Sequence, residues 1–277
     1  MSFIPALPIG GYGGWRFLNR TMETQQAAFA NSAQTRRDTE YFRERIGQIE
    51  TAEQLVGDRR LLSVALGAFG LQDDLPNRFF IRKVLEEGTL EPRALANRLG
   101  DKRYAEMSRA FGFDLGVPNT GLSDFPDRIL RAYETRQFEV AVGTADENMR
   151  LALNARRELA ELADRDSSER TKWLTVLGMP PLRQVFETAF GLPQGFGALD
   201  LDRQIGVMQQ RSRSAFGAEG VSQFGDPERT EQLVQRFLVR AELAAGTISG
   251  MARGSAALQL LQGAAMFGGG PPGLFGR

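Results

Sequence analysis

The apolar positions of this chain recur at helical spacing, and the clearest example runs from Asp58 to Gly88. Leu61, Leu62, Ala65, Leu66 and Phe69 form a one-sided stripe, the signature of an amphipathic helix. Asp58 stands where a carboxylate can accept from the free amides of the first turn. Gly70 follows the last apolar residue, where a helix commonly leaves through a left-handed residue that only glycine adopts cheaply. Asp74 and Pro76 then restart the chain: an acid suits the positive end of a helix dipole, and proline lacks only a donor that the first turn leaves unused. Phe79, Phe80, Val84 and Leu85 supply the buried face of the second helix, which Gly88 ends. The pattern predicts two capped helices joined by a short polar turn.

The closing phrase Ala-Phe-Gly returns at Ala110–Gly112, Ala189–Gly191 and Ala215–Gly217. LLSVALGAFGL and LRQVFETAFGL share Leu61/Leu182, Val64/Val185, Ala68/Ala189, Phe69/Phe190, Gly70/Gly191 and Leu71/Leu192. The copies are unevenly spaced, which excludes a solenoid of fixed period. Two readings stand: a helix-ending phrase whose Phe sits in the core, or an old duplication of a helical hairpin.

Before this stretch, the pattern predicts one long helix from Trp15 to about Ile49. Its seam is thin: Trp15, Leu18, Met22 and Phe29 at one end, Phe42, Ile46 and Ile49 at the other, with Gln25, Ser32, Arg36 and Thr39 between them. Such a seam suits a helix docked at one end on its own domain, or one that meets a partner helix. Residues 1–14, rich in Gly and Pro, are expected to be flexible.

Further along, Thr51-Ala-Glu-Gln54 and Thr144-Ala-Asp-Glu147 fit capping boxes, and a break is expected at Gly143. Residues 114–123 and 192–202 read as loops. The last strong helix, about 227–245, follows Asp226 as cap and is expected to bury Leu233, Val234, Phe237, Leu238 and Leu243. Gly246, Gly250 and Gly254 then punctuate an Ala-rich stretch with apolar residues Leu258, Leu260 and Leu261, and the end reads as a flexible tail. No stretch alternates convincingly over strand length. The fold class is therefore all-α: an irregular multi-helix bundle of capped hairpins ending in Ala-Phe-Gly. The expected organisation is a flexible N-terminus and helical arm over 1–47, one core domain over 48–245, and an Ala/Gly-rich tail over 246–277.

Composition narrows the chemistry. Apolar residues make up 42% and charged residues 25% of 277, enough for a real core, and the formal net charge is zero. A neutral chain has no bulk field to draw nucleic acid or anionic lipid. Cys and His are both absent, which removes thiol nucleophiles, His triads, zinc fingers and His-bound iron. Lys83, Lys102 and Lys172 are the only lysines among 34 basic residues. No segment approaches the roughly 20 apolar residues of a membrane span, and the N-terminus lacks the pattern of a secretory signal.

Each motif that could carry chemistry fails on spacing. GGYGG has no preceding strand and no following Lys at phosphate-loop spacing. Asp200-Leu-Asp202 lacks the later ligands of a calcium loop. Asp73-Asp74 and Glu86-Glu87 are adjacent carboxylates, which point apart on a helix. A di-metal bundle site would bring Glu-x-x-His, and ARRELAELADRDSSER reads as a charged helix face. No catalytic residue, cofactor or metal ligand is assigned. Candidate partner-binding elements remain: Trp15, Leu18, Met22 and Phe29 on the thin seam; Arg78, Phe79, Arg82 and Lys83, where aromatic and basic side chains exceed what a minimal helix needs; and the Ala-rich C-terminal stretch, which is poor at burying itself.

Several phrases together resemble an alphaproteobacterial family of unknown function whose members are often encoded among flagellar genes. They are Gly14 to Leu18, VALGAFGL with NRFFIRKVLEEG, Leu95 to Tyr104 with RAFGF, Gln137 to Glu158, KWLTVLGMPPLRQVFETAFGLP, and DLDRQ. The resemblance implies helical architecture and an association with the flagellum; the family offers no catalytic residues to carry over. Helical termini and an absence of Cys agree with export through a flagellar channel. The N-terminal motifs of rod, hook and filament proteins are missing, which points to an accessory, cap or assembly factor.

The expectation is a non-catalytic flagellum-associated protein acting through contacts with helical protein partners, self-association included. No nucleic acid, membrane span or small-molecule substrate is expected. A cytoplasmic chaperone or regulator of a flagellar export substrate is the alternative, and an enzyme using only Arg, carboxylate and hydroxyl groups a third. Trimming residues 1–45 is expected to leave the core folded while abolishing association.

Overall fold

The computed structural model describes residues 3–266, with side chains described as far as Gly246. Every regular element among them is helical. The chain runs through α1 (Gly11–Ala30), α2 (Ala33–Arg45), α3 (Ala52–Gly57), α4 (Arg59–Phe69), α5 (Arg78–Glu87), α6 (Leu95–Arg98), α7 (Arg103–Phe111), α8 (Phe125–Ala145), α9 (Glu147–Asp164), α10 (Glu169–Leu177), α11 (Pro180–Phe190), α12 (Leu201–Phe216) and α13 (Pro227–Met266).

All four Ala-Phe-Gly phrases end helices as expected. Gly70, Gly112, Gly191 and Gly217 each take the left-handed conformation, at φ of 69°, 65°, 62° and 87°. The four fall into two kinds. After α4 and α11 the chain closes a Schellman motif: Leu71 N–H donates to Leu66 C=O and Gly70 N–H to Gly67 C=O, and Leu192 and Gly191 repeat both bonds to Glu187 and Thr188. After α7 and α12 there is the simpler single bond, Gly112 to Ser108 and Gly217 to Arg213.

The phenylalanines pair in the same order. Phe69 and Phe111 lie 6.4 Å apart between ring centres, and Phe111 meets Phe125 edge-on at 5.2 Å. Phe190 and Phe216 lie 6.2 Å apart, and Phe216 meets Phe224 edge-on at 5.3 Å. Helix α4 packs on α8, and α11 packs on α13. All four phenylalanines are buried, as the helix-ending reading expects, and the paired caps and ring contacts are also compatible with the duplication.

The apolar interior follows this division. One cluster gathers Phe42, Leu55, Leu61, Leu62, Phe69, Ile81, Phe111, Phe125 and their neighbours. The other gathers Trp15, Leu18, Phe138, Trp173, Phe186, Phe224 and Phe237. Helix α8 belongs to both, with Ile129 and Leu130 in the first and Phe138 and Val142 in the second. The buried apolar residues thus fall into two clusters that meet at α8.

The N-terminal arm is different from the expectation in three ways. It is two helices, because the chain turns at Asn31–Ser32 and Ser32 caps α2 by accepting from Thr35 N–H. It is not peripheral: Trp15 and Leu18 complete one core, Phe42 and Ile46 the other, and all four are fully buried. Residues 3–9 are held at some points, Phe3, Pro5 and Leu7 turning inward while Ile4 and Ile9 stay exposed. Phe3 sits edge-on against Phe29, 5.5 Å between centres, and touches Phe138, while the Gln25 amide bonds both the N–H and the C=O of Ala6. Of the polar middle of the seam, Gln25 and Thr39 are buried with near partners, Thr39 donating to Arg36 C=O, while Ser32 is half-buried and Arg36 exposed.

Two boundaries shift. Helix α8 continues through Gly143 to Ala145, and Asp146, not Thr144, caps α9 by accepting from the amides of Asn148 and Met149. Helix α13 continues past Gly246 to Met266, where the expected tail over 246–277 should already have begun; residues 267–277 of that tail lie outside the described residues, as do the side chains of Leu258, Leu260 and Leu261. The Thr51–Gln54 capping box forms with both of its bonds, and the loop at 192–202 contains a 3-10 turn that buries Phe196. No described helix is long and apolar enough to cross a membrane.

Candidate partner-binding surfaces

Helix α5 owes its place to Ile81, Val84 and Leu85, which enter the core beside α3 and α7. Its outer face carries the four residues singled out by sequence, at spacings of three and four that bring them together. Phe79, expected on the buried face of this helix, is instead 72% exposed, because Ile81 takes the inward position with Val84 and Leu85; the Arg82 guanidinium lies 5.4 Å from its ring centre. Arg82 also pairs with Glu53 and Glu86 at 3.4 and 3.5 Å, and Lys83 with Glu87 at 3.7 Å. Arg78 is exposed. Two of the three cations are therefore turned toward carboxylates of the chain itself. Phe79 and Arg78 face outward. The helix ends at Gly88, whose φ of 66° and ψ of −150° suit glycine alone, with Asp114 filling the space where a Cβ would stand.

The other four candidates do not join this face. Trp15 and Leu18 are fully buried, and Met22 and Phe29 pack half-buried on the same core. Trp15 is held at its polar edge as well, its indole N–H donating to both oxygens of Glu231 at 3.1 and 3.0 Å. Burial removes Trp15 and Leu18 from any partner surface of this conformation. The thin seam is answered from within the chain.

The interior holds a charged cluster that sequence reasoning read only as a charged helix face. Arg157 on α9 grips Glu139 on α8 through Nε and Nη2 at 2.8 and 3.0 Å, and also donates to Glu158. Arg136 on α8 reaches Glu158 at 3.2 Å. The two glutamate side chains are 8% and 4% exposed. Burial alone would lower the Arg157 pKa, but the hydrogen bonds and charges of Glu139 and Glu158 outweigh it and hold the guanidinium above its ordinary value. Two cations answer two anions. The cluster locks α8 to α9. Among the described residues no group of three or more acids gathers as a metal centre would require.

A second surface escaped the sequence reading altogether. Between the C-terminal ends of α11 and α12 and the outer side of α13 lies a groove of about 980 Å³. Gly191, Leu192 and Pro193 form one wall, and Arg236, Val239 and Arg240 are among the residues of the other. Leu243, expected in the core, is 64% exposed at its rim, and Val239 is 41% exposed. The outward apolar pair was the available signal: Val239 and Leu243 are four apart, on a different face from Leu233, Val234 and Phe237.

The comparisons with known proteins agree with the helical architecture. A crystal structure of an Agrobacterium tumefaciens protein, AGR_C_984, is similar over 87% of this chain and 99% of its own, with a TM-score of 0.71 and 27% sequence identity. No curated protein matches the chain. The model of a family of proteins of unknown function, DUF1217, matches residues 68–230, a span that runs from the first Ala-Phe-Gly phrase into α13 and takes in more than half of the sequence. The chain belongs to the DUF1217 family.

Proposed function

We propose that this protein is a non-catalytic component or assembly factor associated with the bacterial flagellum, acting through protein–protein contacts. The observation that carries the contact is Phe79. A benzyl side chain left largely in water beside Arg78 and Arg82 suits an interface, where aromatic residues and arginines carry much of the binding energy. The flagellar part rests on the phrases that resemble a family often encoded among flagellar genes, such as NRFFIRKVLEEG and QFEVAVGTADENMRLALNARRE.

The test is a substitution confined to that face. Phe79→Asp with Arg78→Glu touches no buried residue, so the chain keeps its helicity and melting behaviour. Cells carrying the variant are expected to swim poorly, and the tagged variant is expected to be lost from hook–basal-body preparations that retain the parent chain. Normal motility and unchanged retention would overturn the assignment of this face.

A further inference from the structure

The two paired halves allow the open groove to be compared with its counterpart. ILRAYETR at 129–136 on α8 matches LVQRFLVR at 233–240 on α13, so Ile129 corresponds to Leu233, Leu130 to Val234, Tyr133 to Phe237 and Arg136 to Arg240. The geometry agrees. Arg136 lies against the left-handed Gly70, and Arg240 against the left-handed Gly191. Gly70, Gln72, Arg136, Glu139 and Val140 line the first groove, and their counterparts Gly191, Pro193, Arg240, Leu243 and Ala244 line the second.

The two grooves differ in what fills them. In the first, α9 lies over α8, its Arg150, Asn154 and Arg157 reach the wall, and Met179 and Pro181 close the end, leaving about 30 Å³. Its Glu158 answers Arg136. In the second, about 980 Å³ stands open. Arg236 and Arg240 face it together, and burial followed by the nearby Arg240 charge lowers the Arg236 pKa. Arg236 donates to Ala189 C=O, while Arg240 has no ion pair among the described residues. The one carboxylate in the lining, Glu187, is already held by Arg183 at 2.6 Å. An occupant must therefore bring an acid. Residues 247–277 contain Arg253 and Arg277 but no Asp or Glu, so that stretch has no side chain to answer Arg240 as Glu158 answers Arg136.

We propose that this groove receives an amphipathic helix from another protein, seated as α9 is seated in the first half, with a carboxylate directed at Arg240. Next to that carboxylate, where Arg157 of α9 meets Glu139, the incoming helix presents an apolar residue, because the counterpart of Glu139 is Leu243. This rests on the reading that the chain works through protein contacts, yet it uses a different face from α5, so each can fail without the other.

The probe is a fluorescein-labelled peptide of residues 146–164 with Arg157→Leu, titrated with the full chain and followed by anisotropy. Saturable one-to-one binding in roughly the micromolar range is expected. Arg240→Glu in the full chain should weaken it by about tenfold or more, since a charge pair becomes a repulsion. The same peptide with Glu158→Arg should recover binding to the Arg240→Glu chain; circular dichroism checks that this exposed substitution leaves the fold intact. No saturable binding up to about 1 mM, or binding indifferent to Arg240→Glu, would overturn the proposal. Sedimentation of the chain alone is expected to give a monomer; a dimer that Arg240→Glu dissolves would identify a second copy as the occupant and overturn the assignment to another protein.

Discussion

The indole N–H of Trp15 donates to both carboxylate oxygens of Glu231, tying the first helix of the chain to the last. Tyr12 adds its hydroxyl to the same carboxylate at 3.0 Å, and the Arg156 guanidinium covers the Trp15 ring at 5.1 Å. The arm is thus part of the fold. Trp15→Ala should cost about 3–5 kcal/mol, the range for emptying a buried Trp site. Glu231→Ala, which strands the indole donor, should cost about 1–3 kcal/mol. Removing residues 1–45 opens both cores at Trp15, Leu18 and Phe42 and should prevent cooperative folding, contrary to what the thin seam suggested. Chemical denaturation of the three variants measures all of this.

The glycines at the helix ends offer a graded test of backbone strain. Gly217, at φ 87°, has nothing within 4 Å of where a Cβ would stand. Gly217→Ala should cost only the left-handed penalty, about 1–2 kcal/mol. At Gly88 the same change meets the Asp114 side chain as well as a glycine-only conformation. Gly88→Ala should therefore be clearly the worse of the two in urea midpoint, and equal midpoints would contradict the cap geometry.

Breaking the buried charge cluster should be severe and asymmetric. Arg157→Met leaves Glu139 and Glu158 short of their main partner and should cost about 3–5 kcal/mol. Replacing Arg157 and Glu139 together by Met and Leu removes one cation and one anion, leaving Arg136 with Glu158. The double variant should be more stable than Arg157→Met alone. Thermal melts of the two variants decide this.

Acid should loosen the cap of α4. Burial works to raise the Asp58 pKa, but the Tyr41 hydroxyl at 2.7 Å and the Leu61 and Arg60 amides outweigh it and hold the carboxyl below its ordinary value. A depressed carboxyl stabilises the fold above the unfolded-state pKa, near 3.8, and loses that contribution as pH falls through the folded value. The parent chain should lose stability on acidification below about pH 4 more steeply than Asp58→Asn. Parallel stability curves for the two would remove Asp58 as the cause. At neutral pH, Asp58→Ala should cost about 1 kcal/mol through the lost cap.

The helix ends were the legible part of this fold. Ala-Phe-Gly carries both its signals locally: a glycine needed for a positive φ and an aromatic residue one turn from the stripe. The pairing of the phrases was hidden, because α5, α6 and α7 stand between Gly70 and Gly112 where α12 alone stands between Gly191 and Gly217. The arm misled for a different reason. Gln25, Thr35 and Thr39 look like solvent positions by type, but each is buried with a nearby hydrogen-bond partner. The α5 face was visible as a surplus of aromatic and basic residues. The groove beside α13 was not, since its shape depends on what packs over the matching groove on α8, and that is a relation between distant segments.

The central claim is that the chain serves the flagellum by binding other proteins, and the most direct measurement is where the tagged full chain goes. Cells with an intact flagellar export apparatus and cells with it disabled would be separated into hook–basal bodies, medium and cytosol. The account predicts the chain in hook–basal bodies or medium only when export works. A chain that stays in the cytosol of both strains would contradict it and would favour a chaperone or regulator of an export substrate.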